Sequence, residues 1–164
     1  MVLQNTTTHT TSGMVMGKFY PPHKGHSYIL SLAQSQVDIL HIVICSSQSQ
    51  TIPSEIRGKW LHELFPKAKI YILPIDTLAA NDEAAWTAAT LKLLGSQPDY
   101  MFSSEAYGDH YATLLGAKHW EVDRNRLNVP CSATKIRADP LAFLEYLEPC
   151  VQDYYKTILS SDES

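Results

Sequence analysis

The sequence has no long apolar run, few cysteines and little net charge, and each absence excludes a class of protein. No stretch approaches the roughly 18 apolar residues that a helix needs to cross a bilayer. The three cysteines, Cys45, Cys131 and Cys150, are odd in number and far apart. This predicts reduced thiols in a cytoplasmic protein rather than a disulfide framework. The formal net charge of -4 gives no overall positive field to attract nucleic acid, so any anion site must be local.

Two common nucleotide-binding motifs are also absent. The segment from Gly13 to Phe19 superficially resembles a P-loop, but three residues rather than four separate its glycines. Phe19 also follows Lys18 where a P-loop needs a hydroxyl residue to hold Mg²⁺. No Gly-x-Gly-x-x-Gly pattern of dinucleotide-binding proteins occurs. The sequence therefore lacks the main motif expected of a P-loop kinase and that expected of a dehydrogenase.

The composition that is present is that of an ordinary globular protein. Hydrophobic residues make up 45% and charged residues 18% of the 164 positions. A chain of this length can form one domain with a sizeable core. Residues 1–12, which are rich in threonine, are predicted to be a polar disordered tail, and residues 13–160 a single domain.

Strand-like and helix-like segments alternate along this domain, which predicts an α/β fold. Apolar and β-branched runs predict strands, and helical periodicity with caps such as Asp82 and Gly95 predicts helices. Predicted strands cover residues 14–16, 39–44, 70–73, 100–102 and 119–122. Predicted helices cover residues 24–36, a segment opened by Pro53, residues 82–94 and 107–115, a segment capped by Ser132, and residues 141–147 and 151–158. Short connections favour a Rossmann-like doubly wound parallel five-stranded sheet with helices on both faces and further helices at the C-terminal end.

Residues 17–26, Gly-Lys-Phe-Tyr-Pro-Pro-His-Lys-Gly-His, join the first predicted strand to the first helix. A helix beginning near Lys24 points its first N–H groups and positive dipole end back at the strand tip, which favours a bound phosphate. His23 and His26 are three residues apart and share a helix face. Two ordinary surface histidines are the alternative. A metal site would need a third ligand, and no nearby cysteine or carboxylate offers a familiar zinc spacing.

A second phosphate-binding candidate occurs at residues 132–137, Ser-Ala-Thr-Lys-Ile-Arg. Ser132 can cap a helix, and Thr134 and Arg137 share one face of it. Arginine suits bidentate contact with phosphate. Alone, this segment is better explained as an ordinary capped helix with a solvated arginine. Two such helix starts in one α/β chain favour a nucleotide site.

These motifs together resemble a known family. The His-x-Gly-His pattern at residues 23–26, paired with Ser-x-Thr-x-Ile-Arg at residues 132–137, is similar to the nucleotidyltransferase superfamily. With Ser-Ser-Glu at residues 103–105 and Val-Asp-Arg at residues 122–124, the sequence resembles the nicotinamide mononucleotide (NMN) adenylyltransferases of the NadR type. The resemblance covers roughly residues 14–155, and Ala133 stands where glycine or serine is common. Those regulators also carry a DNA-binding domain and a P-loop kinase domain, so a stand-alone transferase is expected here.

The resemblance implies a reaction and a set of residues. The phosphate of NMN would attack the α-phosphorus of ATP and displace pyrophosphate, giving NAD. Mg²⁺ would be bound through the ATP phosphates, without a protein ligand. The implied catalytic residues are His23, His26, Lys18 and Arg137, where Lys18 replaces an arginine of many relatives. The implied ATP-binding residues are Gly17, Phe19, Tyr20, Asp123, Arg124, Ser132 and Thr134. The implied NMN-binding residues are Trp86, Ser103, Ser104, Glu105 and Arg57.

Several alternatives stay open at the level of sequence. Trp86 is as well explained by the core as by stacking on the nicotinamide ring, and Arg57 as well by solvent as by phosphate. The acceptor can be another phosphorylated compound, served by an adenylyl- or cytidylyltransferase, and the fold can also serve a non-catalytic nucleotide sensor. The sequence fits either the amide or the acid mononucleotide, and a homo-oligomer as well as a monomer.

Overall fold

Five parallel strands form one sheet in the computed structural model, which describes residues 9–125 and 128–161. The strands lie in the order β3-β2-β1-β4-β5. All four neighbouring pairs are parallel. Their bounds are β1 (Ser12–Gly17), β2 (Ile39–Ser46), β3 (Lys69–Pro74), β4 (Tyr100–Ser103) and β5 (Lys118–Glu121). Because β1 and β2 are largely buried, they are near-continuous apolar runs rather than alternating ones.

Helices follow the strands and complete the α/β alternation. They are α1 (Lys24–Gln36), α2 (Ser54–Leu64), α3 (Glu83–Leu94), α4 (Gly108–Leu115), α5 (Ala133–Ala138) and α6 (Pro149–Ser161), with a 3₁₀ helix at Pro140–Tyr146 before α6. Asp82 caps α3 by accepting the backbone N–H of Ala85 at 3.1 Å. The helix ends at Gly95, which has a left-handed backbone with φ of 77° that glycine adopts without steric cost. In the part of the chain that the structure describes, no helix is long and apolar enough to cross a membrane.

The two faces of the sheet carry separate cores, since successive strand residues point to opposite faces. Val15 of β1 belongs to the core that also contains Leu30 of α1 and Leu61 of α2. Its neighbour Met14 belongs to the core that contains Leu115 of α4. Helices α1 and α2 therefore cover one face, and α3 and α4 the other. The predicted doubly wound fold is confirmed.

The C-terminal helices form a third apolar cluster beside α2. Three residues are fully buried there: Ile136 of α5, Leu147 and Val151. Trp60 of α2 packs with them and is 6% exposed. This cluster holds α5 in place. The predicted helical segment over residues 141–147 is a 3₁₀ helix at Pro140–Tyr146, with Phe143 at φ of -120° breaking the helical backbone.

The chain becomes ordered earlier than the predicted tail boundary. Ser12 is the first residue of β1, and Thr11 donates its N–H and its hydroxyl to the Asp38 carboxylate at 2.9 and 3.0 Å. Asp38 lies between the end of α1 and the start of β2, so these bonds tie Thr11 to that connection. Residues 1–8 of the predicted tail lie outside the described residues.

Candidate active site

A cleft of about 640 Å³ opens where β1 and β4 end side by side. The helices that follow these two strands, α1 and α4, cover opposite faces of the sheet. This is the switch point of an open α/β sheet, where ligands bind beyond the carboxyl ends of the strands. The lining comes from the turn after β1, the starts of α1 and α5, the first turns of α3, and the turn after β4.

The two histidines at the start of α1 hold each other and the helix end. His23 is the N-cap, and its Nδ1 accepts the backbone N–H of Gly25 at 3.1 Å. His26 Nδ1 accepts the backbone N–H of His23 at 3.1 Å, and the rings stack with centroids 3.8 Å apart. Because each Nδ1 is an acceptor, the neutral form of each ring carries its proton on Nε2. Both imidazoles line the cleft as N–H donors.

This arrangement depends on close contacts that only a few residue types permit. A Cβ atom at Gly25 would lie 2.8 Å from His23 Cε1, so a side chain there would displace the imidazole. Phe19 has φ of 49°, an uncommon left-handed conformation for a large side chain. Its ring is 1% exposed and lies 4.8 Å from the ring of His26. The strained turn thus places an apolar support beneath the histidine pair. The alternative of two surface histidines is wrong, because His23 is 6% exposed.

Arg137 lies in the cleft wall and is held by Tyr20. Its Nη1 donates to the carbonyl oxygen of Tyr20 at 2.6 Å, and its guanidinium lies over the Tyr20 ring at 4.3 Å from the centroid. The Tyr20 hydroxyl is bonded to the hydroxyl and the backbone N–H of Thr51 at 2.6 and 2.8 Å. An arginine has five N–H donors, so this anchoring leaves Arg137 able to bind an anion in the cleft.

The remaining predicted phosphate ligands lie at the same end of the cleft. Ser132 caps α5 as predicted, accepting the N–H of Lys135 at 3.3 Å. Thr134 lines the cleft beside it, and Lys18 lines it from the turn after β1 with an exposed side chain. Cationic and N–H donor groups therefore converge here. Of the predicted catalytic and ATP-binding residues, all except Arg124 line the cleft.

The other end of the cleft is aromatic and acidic. Trp86 lines it, packs partly against the α3–α4 core, and donates its indole N–H to the Ala79 carbonyl at 3.0 Å. This bond fixes the plane of the ring. Glu83 lies one turn before it, and Tyr107 and Tyr111 face the same space. Burial raises the pKa of both tyrosine hydroxyls, which stay protonated near neutral pH. Ser103, Ser104 and Glu105 complete this end.

The structure does not bring Arg57 into the cleft. Arg57 is fully buried, so the solvated alternative is also wrong. Its guanidinium donates to the carbonyl oxygens of Lys18, Ile52 and Cys45 at 2.6, 3.1 and 3.4 Å, and to Gln50 Oε1 at 2.6 Å. Burial lowers its pKa, although an arginine stays charged. Geometry gives Arg57 a structural role in joining the ends of β1 and β2.

Residues 123–124 divide between the cleft and the surface. Asp123 lines the cleft with φ of 47°, and its carboxylate accepts the backbone N–H of Asn128 at 3.1 and 3.3 Å. Arg124 lies outside the lining and pairs with Glu121 at 3.1 Å. Only the first of the two is therefore placed to contact a ligand.

Sequence reasoning missed several lining residues. Cys131 is 6% exposed, and its sulfur lies 3.2 Å from His23 Nδ1. Its position directly before Ser132, the N-cap of α5, is the sequence feature that could have indicated it. Tyr107 and Tyr111 were missed as well, although their spacing of four at the start of a helix after β4 places them on one face toward the switch point.

The donor groups suit phosphate oxygens better than a resident metal ion. Among the described residues, no group of three or more His, Cys, Asp or Glu side chains is placed to hold a metal. The end of the cleft at the starts of α1 and α5, called the phosphate end below, instead presents ammonium, guanidinium, hydroxyl and imidazole N–H groups. These features define the class: an α/β protein with an anion-binding cleft at the switch point of its parallel sheet.

Comparison with known proteins sharpens this class. No protein-family model matches the chain. The chain is 32% identical to the trifunctional NAD biosynthesis/regulator protein NadR of Escherichia coli (strain K12), over 88% of this chain and 40% of NadR. It is 31% identical to NadR of Salmonella typhimurium, over 87% and 40% of the two chains. The chain is a homologue of NadR and spans about 40% of the length of these relatives.

Solved structures share the fold. A NadR protein in complex with NAD and AMP-PNP superposes with a TM-score of 0.66 at 20% identity, over 86% of this chain and 45% of that one. A bifunctional NMN adenylyltransferase/ADP ribose pyrophosphatase from Francisella tularensis, complexed with AMP and a manganese ion, gives 0.70 at 16% identity, over 92% and 49%. The predicted resemblance to the NadR-type adenylyltransferase domain is thereby confirmed.

Proposed function

We propose that this protein transfers the adenylyl group of ATP to NMN, forming NAD and pyrophosphate as a step of NAD biosynthesis. The observation that carries the proposal is the histidine pair. Each Nδ1 atom accepts a backbone N–H, so the neutral form of each ring carries its proton on Nε2, and both rings line the cleft. Lys18 and Arg137 line the same end. The NadR relatives are named for NAD biosynthesis, which supports the same reaction.

The reaction needs no enzyme nucleophile or general base. An oxygen of the NMN phosphate attacks the α-phosphorus, the bond to the bridging oxygen of the β-phosphate breaks, and pyrophosphate leaves with the electron pair. The attacking phosphate is largely ionised at neutral pH, because its second pKa is about 6. Catalysis is then positioning and charge stabilisation. His23 and His26 donate to the charge developing on the phosphates, while Thr134 and Arg137 hold the β- and γ-phosphates.

The aromatic and acidic end of the cleft is the proposed site of the mononucleotide. The pyridinium ring of NMN is cationic, and a cation over an indole face is favourable. Trp86 has a fixed ring plane there, and Glu83 and Glu105 add negative charge nearby. Ser103 and Ser104 offer hydroxyl groups at the same end. This distribution supports NMN at one end and the triphosphate at the other.

Mg²⁺ enters this proposal as part of the substrate MgATP. It would neutralise charge on the phosphates, and the groups at the phosphate end would contact the phosphate oxygens that it leaves accessible. A manganese ion in the Francisella structure supports the use of a divalent cation. The free thiols of Cys45, Cys131 and Cys150 support a cytoplasmic location for the enzyme. A homo-oligomer stays a prediction.

A product assay tests the proposal. The protein is incubated with ATP, Mg²⁺ and NMN, and the NAD and pyrophosphate formed are measured. The proposal expects equal amounts of the two products. A parallel reaction contains the nicotinate analogue. Absence of product from both pyridine mononucleotides contradicts the proposal.

Two other functions use the same phosphate end. A transferase for a different acceptor would show pyrophosphate release with another phosphorylated compound in a panel supplied with ATP or CTP. A nucleotide sensor would bind ATP or NAD by calorimetry without turnover. The complete set of His23, His26, Thr134 and Arg137 in one cleft favours a catalyst over a sensor.

A further inference from the structure

A chain of hydrogen bonds runs from the surface to the floor of the cleft. Asp109 Oδ1 lies 2.7 Å from His119 Nδ1, and His119 Nε2 lies 2.7 Å from Ser103 Oγ. The Asp109 side chain is 81% exposed, whereas that of His119 is 6% exposed. Ser103 lines the cleft beside the proposed mononucleotide site. The chain therefore connects a solvent-exposed carboxylate to a hydroxyl that faces ligand.

The order of the groups determines where the protons lie. A carboxylate can only accept, so Asp109 selects the His119 tautomer with its proton on Nδ1. Nε2 is then an acceptor, and the Ser103 hydroxyl donates its only proton to it at 2.7 Å in preference to the carbonyl oxygen of Glu105 at 3.5 Å. The lone pairs of Ser103 Oγ are left for other donors. The backbone N–H of Glu105 is one of these, at 3.4 Å. Ser103 Oγ is thereby an acceptor for any further donor, and Ser103 lines the cleft.

The surrounding backbone leaves little room for another arrangement. A Cβ atom at Gly108 would collide with both His119 Nε2 and Ser103 Oγ, so glycine is needed where the ring and the hydroxyl meet. The Ser103 carbonyl accepts the N–H of Val122 at 2.9 Å, which ties the ends of β4 and β5 together. The hydroxyl direction is then controlled by the tautomer of His119.

We propose that Asp109 and His119 are positioning residues that fix Ser103 Oγ as a hydrogen-bond acceptor for the mononucleotide. The proposal rests on the proposed function, because it assigns a role at the acceptor end of that site. The partner on the ligand is a donor group, such as an amide N–H or a ribose hydroxyl of the mononucleotide.

The same residue types form the triad of serine hydrolases, but the environment here favours positioning over nucleophilic attack. Ser103 ends β4, and its Oγ already accepts the backbone N–H of Glu105 at 3.4 Å, which engages a lone pair that a nucleophile would need for attack. A nucleophile would also need hydrogen-bond donors beyond the reacting carbon or phosphorus for the developing charge.

Kinetics of two single variants and their combination test the proposal. Asp109→Asn keeps the shape but lets the amide either accept from or donate to Nδ1, so the wrong tautomer becomes accessible. We expect the KM for NMN to rise about threefold to tenfold, the range for one hydrogen bond, with the KM for ATP unchanged. Ser103→Ala should give a similar rise. In the double variant Asp109→Asn should add nothing. Asp153→Asn, an exposed carboxylate on α6, is the matched control.

The proposal is overturned if the KM for NMN is the same in Asp109→Asn and wild type. It is also overturned if Asp109→Asn raises the KM for NMN by its full factor in the Ser103→Ala background. A spectroscopic measurement separates this failure from failure of the proposed function. Nitrogen-15 NMR of the imidazoles, with His119 assigned by His119→Gln, should show the proton on Nδ1 in wild type and a mixture in Asp109→Asn. A wild-type proton on Nε2 refutes the relay even if NMN is turned over. The expected tautomers without any NAD formation refute only the enzyme assignment.

Discussion

Replacing Arg57 tests whether this residue holds the site together or contacts the substrate. Its guanidinium is fully buried and bonds the carbonyl oxygens of Lys18, Cys45 and Ile52 and the amide oxygen of Gln50. These four acceptors belong to the ends of β1 and β2 and to the loop before α2. Arg57→Met fills a similar volume but leaves the acceptors without these donors.

The expected loss of stability follows from these bonds. A hydrogen bond to a charged group contributes about 1.5–3 kcal/mol, and two of the four, to Lys18 and Gln50, are short at 2.6 Å. Removing the guanidinium also removes its own desolvation cost, which offsets part of the loss. We therefore expect Arg57→Met to lower the free energy of unfolding by about 3–5 kcal/mol. For a chain of this size the Tm should fall by about 6–20 °C.

Urea and thermal unfolding of purified variants measure this effect. Arg124→Met is the matched control, because Arg124 is exposed and makes a surface ion pair with Glu121, so its loss should cost at most about 1 kcal/mol. Arg57→Lys keeps the charge but cannot reach all four acceptors, and should fall between wild type and Arg57→Met. If Arg57→Met unfolds within about 1 kcal/mol of wild type while the KM for NMN rises selectively, the structural role is refuted.

Three further changes test other parts of the site. His26→Gln keeps an acceptor at the third helical position for the His23 N–H, so the free energy of unfolding should hold while kcat falls about 10²–10³-fold. His26→Ala should show the same fall in kcat and also lose about 1 kcal/mol of unfolding free energy. A wild-type kcat in either variant refutes the phosphate role. Trp86→Ala should raise the KM for NMN about fivefold to thirtyfold and spare that for ATP; equal effects on both would place Trp86 in the core. Burial raises the pKa of Cys45 to about 11, so the folded state keeps a proton that the unfolded state releases above about pH 9. Unfolding free energy should therefore fall between pH 9 and 11, and Cys45→Ala should flatten that slope; an unchanged slope refutes the assignment.

The parts of the fold that the sequence predicts well depend on local signals. Both ends of α1 were predicted at residues 24–36 because two prolines precede the helix and apolar periodicity stops at Gln36. The sequence predicts Asn81 or Asp82 as the cap of α3 and Gly95 as its end, because polar caps and left-handed glycines act within a single turn, and the structure selects Asp82. The sequence predicts a helical segment over residues 141–147 without indicating the 3₁₀ type, since its apolar spacing fits either kind of helix.

The parts that the sequence does not reveal depend on contacts between distant segments. Arg57 looks like any arginine in a first helical turn, and its burial results from acceptors on three other segments. Asp109, His119 and Ser103 are separated by up to 16 positions and meet only because β4 and β5 pair in one register. Residue types predicted the groups at the starts of α1 and α5 that line one end of the cleft, while geometry was needed for the supporting bonds.

The spacing of the two histidines has a structural cause as well as a chemical one. His23 as N-cap and His26 three residues later form a reciprocal capping pair, each Nδ1 accepting a backbone N–H at the helix start. The helix geometry therefore selects the tautomer that places both donors in the cleft. Serine or aspartate at the cap would stabilise α1 as well but would present no Nε2–H to phosphate. Under the proposed function, the same two side chains cap the helix and bind phosphate, which would explain why an unusual N-cap residue occurs at this position.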